Sequence, residues 1–428
     1  MKKTFFTIAC LIVLYSVNLS AQDTVLINYI RTAINNSPEI AAKNSEYYSA
    51  MSDAETNSFL EDPEFSASVF PEPMMNVNGE QVASISVMQM FPWPGTLKNK
   101  KNEKMCMNSG IFNSRIKLTD ELAYKVASAY YDMISLQEQI KIINEQLQLL
   151  ESTEESLLYK YASQTPDSKQ KPSLPELINL QLQREELSLQ LSTAKENLET
   201  LKRQFNLLLH RSETTKIILP DSLAEENSNI LQFTYSDVLK HSPEIGMLDA
   251  ESKATQHSLL MQKKMSYPMF GVGAEYMINR QTDMPKMEDM NGKNMFMLMF
   301  KVTLPLYRKK YDGRTEAINL KTKSIALNTQ QQEDNLKSEW IGLKQDYTNE
   351  QNKLVIYKKQ MVLLEENLKI LNTAYTTNQS SLTDLLNIRE KLLNYKLKLI
   401  DTTTKLNKIK VKLNIITGND WNNKTMDK

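Results

Sequence analysis

The chain repeats its own pattern of elements at an interval of about 205 residues. A Ser-Pro-Glu-Ile tetrapeptide at 37–40 recurs at 242–245, and a Pro-x-Phe triplet at 63–65 recurs at 268–270. In each copy a short helical segment precedes two strand-like runs, a proline-containing junction, one very long heptad helix and one shorter helix. An internal duplication fixes the architecture before any single motif does. It predicts a first repeat at 22–215, a linker at 216–233, a second repeat at 234–417 and a tail at 418–428.

The first 21 residues have the composition of a secretory signal peptide. Lys2 and Lys3 are followed by an apolar stretch at 5–17 and by small residues before Gln22, which is the usual order of charged region, hydrophobic region and cleavage site. The mature chain is therefore predicted to begin near Gln22, outside the cytoplasm. Lipidation at Cys10 is the alternative, which the short apolar run before that residue disfavours.

Composition and charge exclude several classes of protein. Cys106 is the only cysteine of the predicted mature chain, so we expect neither an intrachain disulfide nor a thiolate metal cluster. A formal net charge of +0 gives no long-range attraction to nucleic acid. Beyond the signal peptide, no stretch approaches the roughly 18 consecutive apolar residues that a membrane-spanning helix needs. If the protein crosses a bilayer, we expect it to do so with β-strands.

Two long segments carry the seven-residue apolar repeat of packed helices. The first helix is predicted from about 97 to 161, the second is of similar length, and each precedes a shorter segment with its own apolar seam. Glu154 interrupts the first long seam. The repeating positions are Leu122, Ala129, Leu136, Ile143, Leu150 and Leu157 in the first long helix, and Leu336, Leu343, Tyr357, Leu364 and Leu371 in the second.

Between the helices the apolar period changes to two, which is typical of β-strands. Phe and Leu alternate with Met at 295–304, and similar alternation occurs at 272–278, at 83–87 and, more weakly, at 65–70. Strands of about 8 to 11 residues are long enough to span a bilayer when tilted. Four such strands cannot close a barrel, because the smallest membrane barrels have about eight. We therefore predict that several copies of the chain share one barrel.

The junctions after the second and fourth strands resemble those of a known family. The segments Phe-Pro-Trp-Pro-Gly-Thr-Leu at 91–97 and Leu-Pro-Leu-Tyr-Arg at 304–308 are similar to the strand-to-helix junctions of the TolC family of outer-membrane efflux ducts, and the first resembles its heavy-metal branch. Prolines end strand pairing and pre-set the turn into a helix. Trp93 and Tyr307 are candidate anchors at a membrane interface, with ordinary packing as the alternative. The candidate junction residues are Pro92, Trp93, Pro94, Gly95, Pro305 and Tyr307.

The resemblance covers nearly the whole mature chain and implies both a fold and a function. It implies a mostly α chain with a small β part, in which duplicated helical hairpins form an α-barrel and four strands per chain enter a shared twelve-stranded membrane β-barrel. It also implies a homotrimer in outer-membrane lipid that docks on a periplasmic adaptor and an inner-membrane RND pump. The expected location is the cell outer membrane, with a long periplasmic extension. No cofactor and no nucleic acid is expected.

The same resemblance points to residues of a periplasmic gate. The segment 375–387 is similar to the family's periplasmic-tip turn, in which acidic side chains ring the aperture. Asp384 matches one of these acids, Asn387 replaces a second, and Tyr375 belongs to the same turn. Glu176 has the equivalent position in the first copy.

Both acidic residues have a simpler explanation. Ser381 with Asp384, and Ser173 with Glu176, have the spacing of helix capping boxes, in which the carboxylate accepts a hydrogen bond from a free backbone N–H. Capping alone, and capping with an added gating role, are both open at this point.

Methionine provides one chemical indication. Ten of the 22 methionines lie at 261–299, and thioether sulfur is a soft ligand that suits Cu(I). If the face of Phe296 meets lipid, the opposite face is predicted to line the lumen. The alternative is that methionine only fills irregular space. The candidate ligands are Met284, Met287 and Met290 in a loop and Met295, Met297 and Met299 on one strand face, joined by Met88, Met90 and Met277.

Two hypotheses of different class remain. The first is the outer-membrane channel component of a tripartite efflux system, a passive duct for small solutes, with soft metal ions such as Cu(I) and Ag(I) among its candidate substrates. The second is a periplasmic coiled-coil adaptor or scaffold that never enters a bilayer. No phosphate-binding glycine loop, nucleophile elbow or HExxH spacing supports an enzyme.

Overall fold

The computed structural model describes residues 21–163, 174–223, 233–283, 288–377 and 379–418. The predicted mostly helical chain with a small β part is confirmed. Nearly all of the predicted signal peptide lies outside the described residues. Within the described residues the elements in chain order are α1 (Ala21–Asn36), α2 (Pro38–Thr56), β1 (Glu64–Asn76), β2 (Gly79–Phe91), α3 (Thr96–Ser163), α4 (Leu174–Leu208), α5 (Tyr235–His241), α6 (Pro243–Met265), β3 (Met269–Arg280), β4 (Met295–Thr303), α7 (Arg308–Thr376) and α8 (Leu382–Ile416).

The chain divides into two compact units, and each unit draws on both sequence repeats. We call 38–120 and 234–341 the sheet unit, because they contain all four strands. We call the remainder, which includes 121–233, the helical unit. Both long helices, α3 and α7, belong partly to each unit. The repeat boundaries at 22–215 and 234–417 remain a prediction.

The second copy of the repeated tetrapeptide is a helix start in the sheet unit. The Ser242 hydroxyl accepts a hydrogen bond from the Ile245 N–H at 3.3 Å, and Pro243 occupies the first turn of α6, where its missing N–H costs nothing. Glu244 accepts hydrogen bonds from Ser242 and from Lys117 of α3, at 3.0 and 3.2 Å. Burial would raise the pKa of Glu244, but these hydrogen bonds and one from its own backbone lower it. The tetrapeptide is therefore explained by helix capping.

The four strands form one antiparallel sheet in the order β1-β2-β3-β4. The sequence placed the end of β1 near Phe70, which is wrong, because the strand continues to Asn76 through Pro71 and Pro73. The pairing with β2 shifts between Val69 and Met74, so both prolines lie in an irregular stretch of an edge strand. Proline is tolerated there because no ladder hydrogen bond needs its nitrogen.

An asparagine network joins the two hairpin ends of the sheet. The Asn76 side chain donates to Asn279 at 2.8 Å, and the Asn78 side chain donates to the Lys293 carbonyl at 3.2 Å. The Gly292 N–H donates to the Asn78 carbonyl at 2.7 Å. The β1–β2 turn and the β3–β4 loop are therefore held to each other by hydrogen bonds as well as by the strand ladders.

The helical unit has a core around Tyr29, where α1 meets α3, α4 and the linker. The Tyr29 ring contacts Phe205 edge to face with ring centroids 5.2 Å apart, a favourable aromatic geometry. Its hydroxyl accepts from the Ile218 N–H at 2.8 Å. Leu223 of the same linker donates its N–H to Glu138 of α3 at 2.6 Å. The first part of the linker is thus packed and hydrogen-bonded within this unit.

Asn206 supplies a direct test of how the end of α4 is joined to the segment just before the linker. Its side chain is 1% exposed, donates to the Glu213 and Thr215 carbonyls at 2.8 and 2.9 Å, and accepts from Arg211 at 2.8 Å. Asn206→Ala should lower the free energy of unfolding by about 2 to 3 kcal/mol, because it leaves buried polar groups unpaired. Urea unfolding of the purified protein, followed by circular dichroism, measures this change.

Asn197→Ala is the matched control, since Asn197 lies on the exposed face of the same helix. It should change stability by less than about 0.5 kcal/mol. Equal effects of the two substitutions would contradict the role assigned to Asn206.

Candidate functional site

The sheet has two chemically different faces, and the strand register defines them. Cross-strand partners share a face, so Phe296, Tyr276 and Ile85 lie in one row and Leu298 lies in the next row of the same face. The exposed fractions are 64% for Phe296, 63% for Leu298 and 79% for Phe300. Large apolar side chains that are exposed together mark a surface that another apolar phase or chain covers.

The opposite face carries methionine with small and polar residues. Met295 pairs with Met277, and Met299 pairs with Gly273, which in turn pairs with Met88. The rows on this face also contain Met297 with Glu275 and Ser86, and Lys301 with Gly271 and Met90. The register thus brings together the six methionines of β2, β3 and β4 that were expected to share a face.

The loop methionines are only partly described. Met284 and Met287 lie outside the described residues, and Met290 ends a single 3₁₀ turn at Glu288–Met290, where it is exposed. Metal binding by this loop remains a prediction. In the described part of the chain, no group of three His, Cys, Asp or Glu side chains is placed to hold a metal ion.

The first strand-to-helix junction is a compact turn. Trp93 stacks on Tyr267 with ring centroids 4.9 Å apart, and its carbonyl accepts from both the N–H and the hydroxyl of Thr96. Gly95 has a φ of +91°, which a side chain would oppose, so glycine is required there before α3 begins. Pro92 and Pro94 flank the tryptophan, but its stacking partner Tyr267 lies far away in the sequence, so this contact depends on the fold.

The second junction is more open. Tyr307 is 83% exposed and lies directly before α7, while Pro305 follows the last residues of β4. Arg308 donates to the Ser266 carbonyl at 3.4 Å, which links the junction to the end of α6. Trp93 and Tyr307 therefore differ, since the first packs against a neighbouring ring and the second is available to an interface.

A second hydrophobic cluster in the helical unit holds together the ends of four helices. Its buried members come from α3, α4 and α8, and α7 contributes partly buried residues. Glu154 interrupts the seam but is paired, because it accepts from Gln181 and Arg184 of α4, both at 2.8 Å. The members are Ile143, Leu150, Leu157, Leu180, Leu187, Leu191, Leu382, Leu385, Leu386 and Leu393, with Leu368, Leu371 and Tyr375 packed against them.

The four gate candidates lie on these helices. Ser381 and Asp384 form the predicted capping box of α8, with the Asp384 N–H donating to the Ser381 hydroxyl at 3.1 Å. Asp384 and Asn387 are both exposed. Burial raises the pKa of the Tyr375 phenol, and the negative charge of Glu176 raises it further. The structure thus brings Glu176 close to Tyr375. Ser173 lies outside the described residues.

One cation near this cluster was missed from the sequence. Arg389 of α8 donates to the Thr153 hydroxyl of α3 at 3.3 Å, and burial lowers the pKa of its guanidinium. Thr153 immediately precedes the buried Glu154. Only the register between α3 and α8, which the sequence does not display, places these residues together.

The three histidines have ordinary structural settings. His241 contacts the Asp237 carbonyl at 2.9 Å, and His257 contacts the Asn99 side chain at 3.3 Å. His210 has a φ of 50° just after the end of α4.

In the part of the chain that the structure describes, no helix combines the length and the apolarity needed to cross a membrane.

The fold is similar to solved structures of outer-membrane channels. CusC, whose crystal structures are described in terms of folding and transmembrane channel formation, has a TM-score of 0.77 at 13% identity over 93% of this chain and 92% of its own. The outer membrane protein VceC of Vibrio cholerae has a TM-score of 0.75 at 14% identity over 92% and 96%. The MtrE channel of Neisseria gonorrhoeae has a TM-score of 0.69 at 14% identity over 92% and 89%.

No protein-family model matches the chain, and no characterised protein matches its sequence. At these levels of identity the structural similarity establishes the fold. The TolC-like fold predicted from the duplication and the junctions is confirmed.

Proposed function

We propose that the chain is the outer-membrane channel component of a tripartite efflux system of RND type. In this proposal three copies form a passive duct that exports small solutes to the exterior from the periplasm or the pump. The protein is located in the cell outer membrane, with a long periplasmic extension, and is not an enzyme. Its partners are a periplasmic adaptor protein, an inner-membrane RND pump and outer-membrane lipid.

The observation that carries the proposal is the sheet with one apolar face. Its strands have 9 to 13 residues, enough to span a bilayer when tilted. In the single chain, the exposed fractions on this face are 67% for Phe65, 77% for Val69 and 79% for Phe300. In the proposed channel, lipid would cover this surface.

The rival adaptor hypothesis explains the helices but not this face. A periplasmic protein would leave an apolar sheet surface in water, which favours aggregation. Long heptad helices fit both hypotheses, so the strands decide between them. The face with Ser86, Glu275 and Lys301 fits an aqueous lumen in the channel proposal.

Extraction from membranes tests the proposal. Outer membranes washed in carbonate and in high salt should retain the protein, because an inserted barrel is released only by detergent. Release of the folded protein into either wash would overturn the channel proposal and favour the adaptor.

A matched pair of substitutions on β2 tests which face meets lipid. Val87 lies in the apolar face and Ser86 in the opposite face of the same strand. Val87→Lys should cost about 2 to 4 kcal/mol near the bilayer midplane and reduce the amount of assembled protein in outer membranes. Ser86→Lys should assemble normally, and an equal loss for both would contradict the assignment of the faces.

The gate is tested by single-channel recording in planar bilayers. If Asp384 and Glu176 narrow the aperture, the double variant Asp384→Ala with Glu176→Ala should raise conductance and weaken cation preference. Ser381→Ala is the matched control, because it removes the capping hydroxyl of α8 but keeps the Asp384 carboxylate. Unchanged conductance and selectivity in the double variant would reject the gate, and an equal rise in Ser381→Ala would assign the effect to capping.

A further inference from the structure

The two edge strands carry opposite charge at the same end of the sheet, where β1 begins and β4 ends. Residues 61–64, which lead into β1, contain three acidic side chains and no basic one. Residues 301–310, which end β4 and begin α7, contain four basic side chains and no acidic one. We call these sets the acidic corner and the basic corner. Their members are Glu61, Asp62 and Glu64 in the first, and Lys301, Arg308, Lys309 and Lys310 in the second.

Both corners are exposed, and their charges are not used within the chain. None of the seven side chains forms an ion pair with another residue that the structure describes. Other charges of the sheet unit do have partners, since Asp53 pairs with Lys104 at 3.1 Å and Glu80 pairs with Arg280 at 2.6 Å. The strands β2 and β3 lie between the two edges, and three strand spacings of about 4.8 Å place β1 roughly 14 Å from β4. This separation explains why the corners remain unpaired in one chain.

The strand register places a charge from each corner on the same face. Glu64 pairs with Met88, Met88 pairs with Gly273, and Gly273 pairs with Met299. Lys301 follows Met299 by two residues, so its side chain lies on that face as well. This is the methionine-bearing face, opposite the face that the proposed channel turns toward lipid. A second copy that pairs its β1 with β4 would therefore bring opposite charges to one side of the joined sheet.

A second copy of the chain explains both corners, whereas lipid explains only one. Anionic headgroups would attract the basic corner and repel the acidic corner. Solvent accounts for exposed charges but not for their separation by sign onto the two edges. Contact between two β1 edges, or between two β4 edges, would place like charges together, whereas contact between β4 and β1 places opposite charges together.

We propose that the acidic corner of one chain and the basic corner of the next form a cluster of ion pairs that selects the pairing of β4 with β1. Backbone hydrogen bonding alone does not distinguish one exposed edge from another. An exposed ion pair adds little to stability, but complementary charges speed association and exclude incorrect partners. Repeated head-to-tail contacts of this kind can close into a ring. The inference rests on the proposed function, because it requires the shared barrel.

Zero-length crosslinking tests the contact without any substitution. A carbodiimide joins a carboxylate to an amine only where the two groups touch. In native outer membranes it should join the two corners within oligomers, and the monomer band should lack the linked peptides. Oligomers without a link between the corners would overturn the proposal. Mass spectrometry should identify Glu61, Asp62 or Glu64 joined to Lys301, Lys309 or Lys310.

Charge reversal tests the selection of edges. One variant makes the acidic corner positive, and a second makes the basic corner negative. Each should slow oligomer formation about tenfold, because both corners then have the same sign. The rate at which pulse-labelled chains become oligomers in outer membranes measures this effect. The substitutions are Glu61→Lys, Asp62→Lys and Glu64→Lys in the first variant, and Lys301→Glu, Lys309→Glu and Lys310→Glu in the second.

The combined variant separates charge pairing from a folding defect. With all six substitutions the corners exchange signs, so the rate should return to within about threefold of the parent rate, whereas folding defects would accumulate. The matched control reverses three lysines on α3 and α6, away from the sheet edges, and should assemble at the parent rate. No recovery in the combined variant, or an equal slowing in the control, would overturn the proposal. The control substitutions are Lys98→Glu, Lys100→Glu and Lys263→Glu.

The outcomes also distinguish this inference from the channel itself. Oligomers that resist carbonate extraction but show neither the crosslink nor the effect of charge reversal would remove the ion pairs and leave the channel. Release of the parent protein by carbonate would instead remove the channel on which the inference rests.

Discussion

The rest of the structure depends on one constraint, which is that a four-stranded sheet leaves backbone hydrogen-bonding groups unpaired at its two edges. In the order β1-β2-β3-β4, the first and last strands each have a ladder on one side only within the described residues. An edge strand presents a row of N–H and C=O groups that another strand can pair. In lipid those groups must be paired, because no water reaches them. The proposed shared barrel follows from this requirement together with the apolar face.

In the proposed barrel the same strands would serve two environments, because side chains alternate along them. One face presents Phe296, Leu298 and Phe300, and the other presents Met297, Met299 and Lys301. A shift of the register by one residue would exchange the faces and place a lysine among the aromatic rings. The asparagine network at the hairpin ends adds hydrogen bonds that oppose such a shift, so the network protects the chemistry of both faces.

Periodic features could be predicted from the sequence, because they depend on local spacing. The heptads predicted both long helices, and the predicted ends of α3, about 97 and 161, lie within two residues of the observed ends. The spacing of Ser381 and Asp384 predicted the capping box of α8. Features that join distant segments could not be predicted. Glu154 looked like a defect because its partners are 27 and 30 residues away, and the Asn76 contact spans 203 residues. The extension of β1 to Asn76 could not be predicted either, because a strand continues through prolines only where it lies at a sheet edge.

With β1 and β4 at the sheet edges, the proposed shared barrel requires that β4 of one chain pairs with β1 of another. Cysteine pairs scanned along 64–70 and 295–303, in a background with Cys106→Ser, test it after mild oxidation of the protein in native membranes. A barrel shared by three copies predicts covalently linked chains at one register, forming a series that ends at three copies, while pairs on the inner strands β2 and β3 give no linkage between chains. The absence of interchain linkage at every register would contradict it.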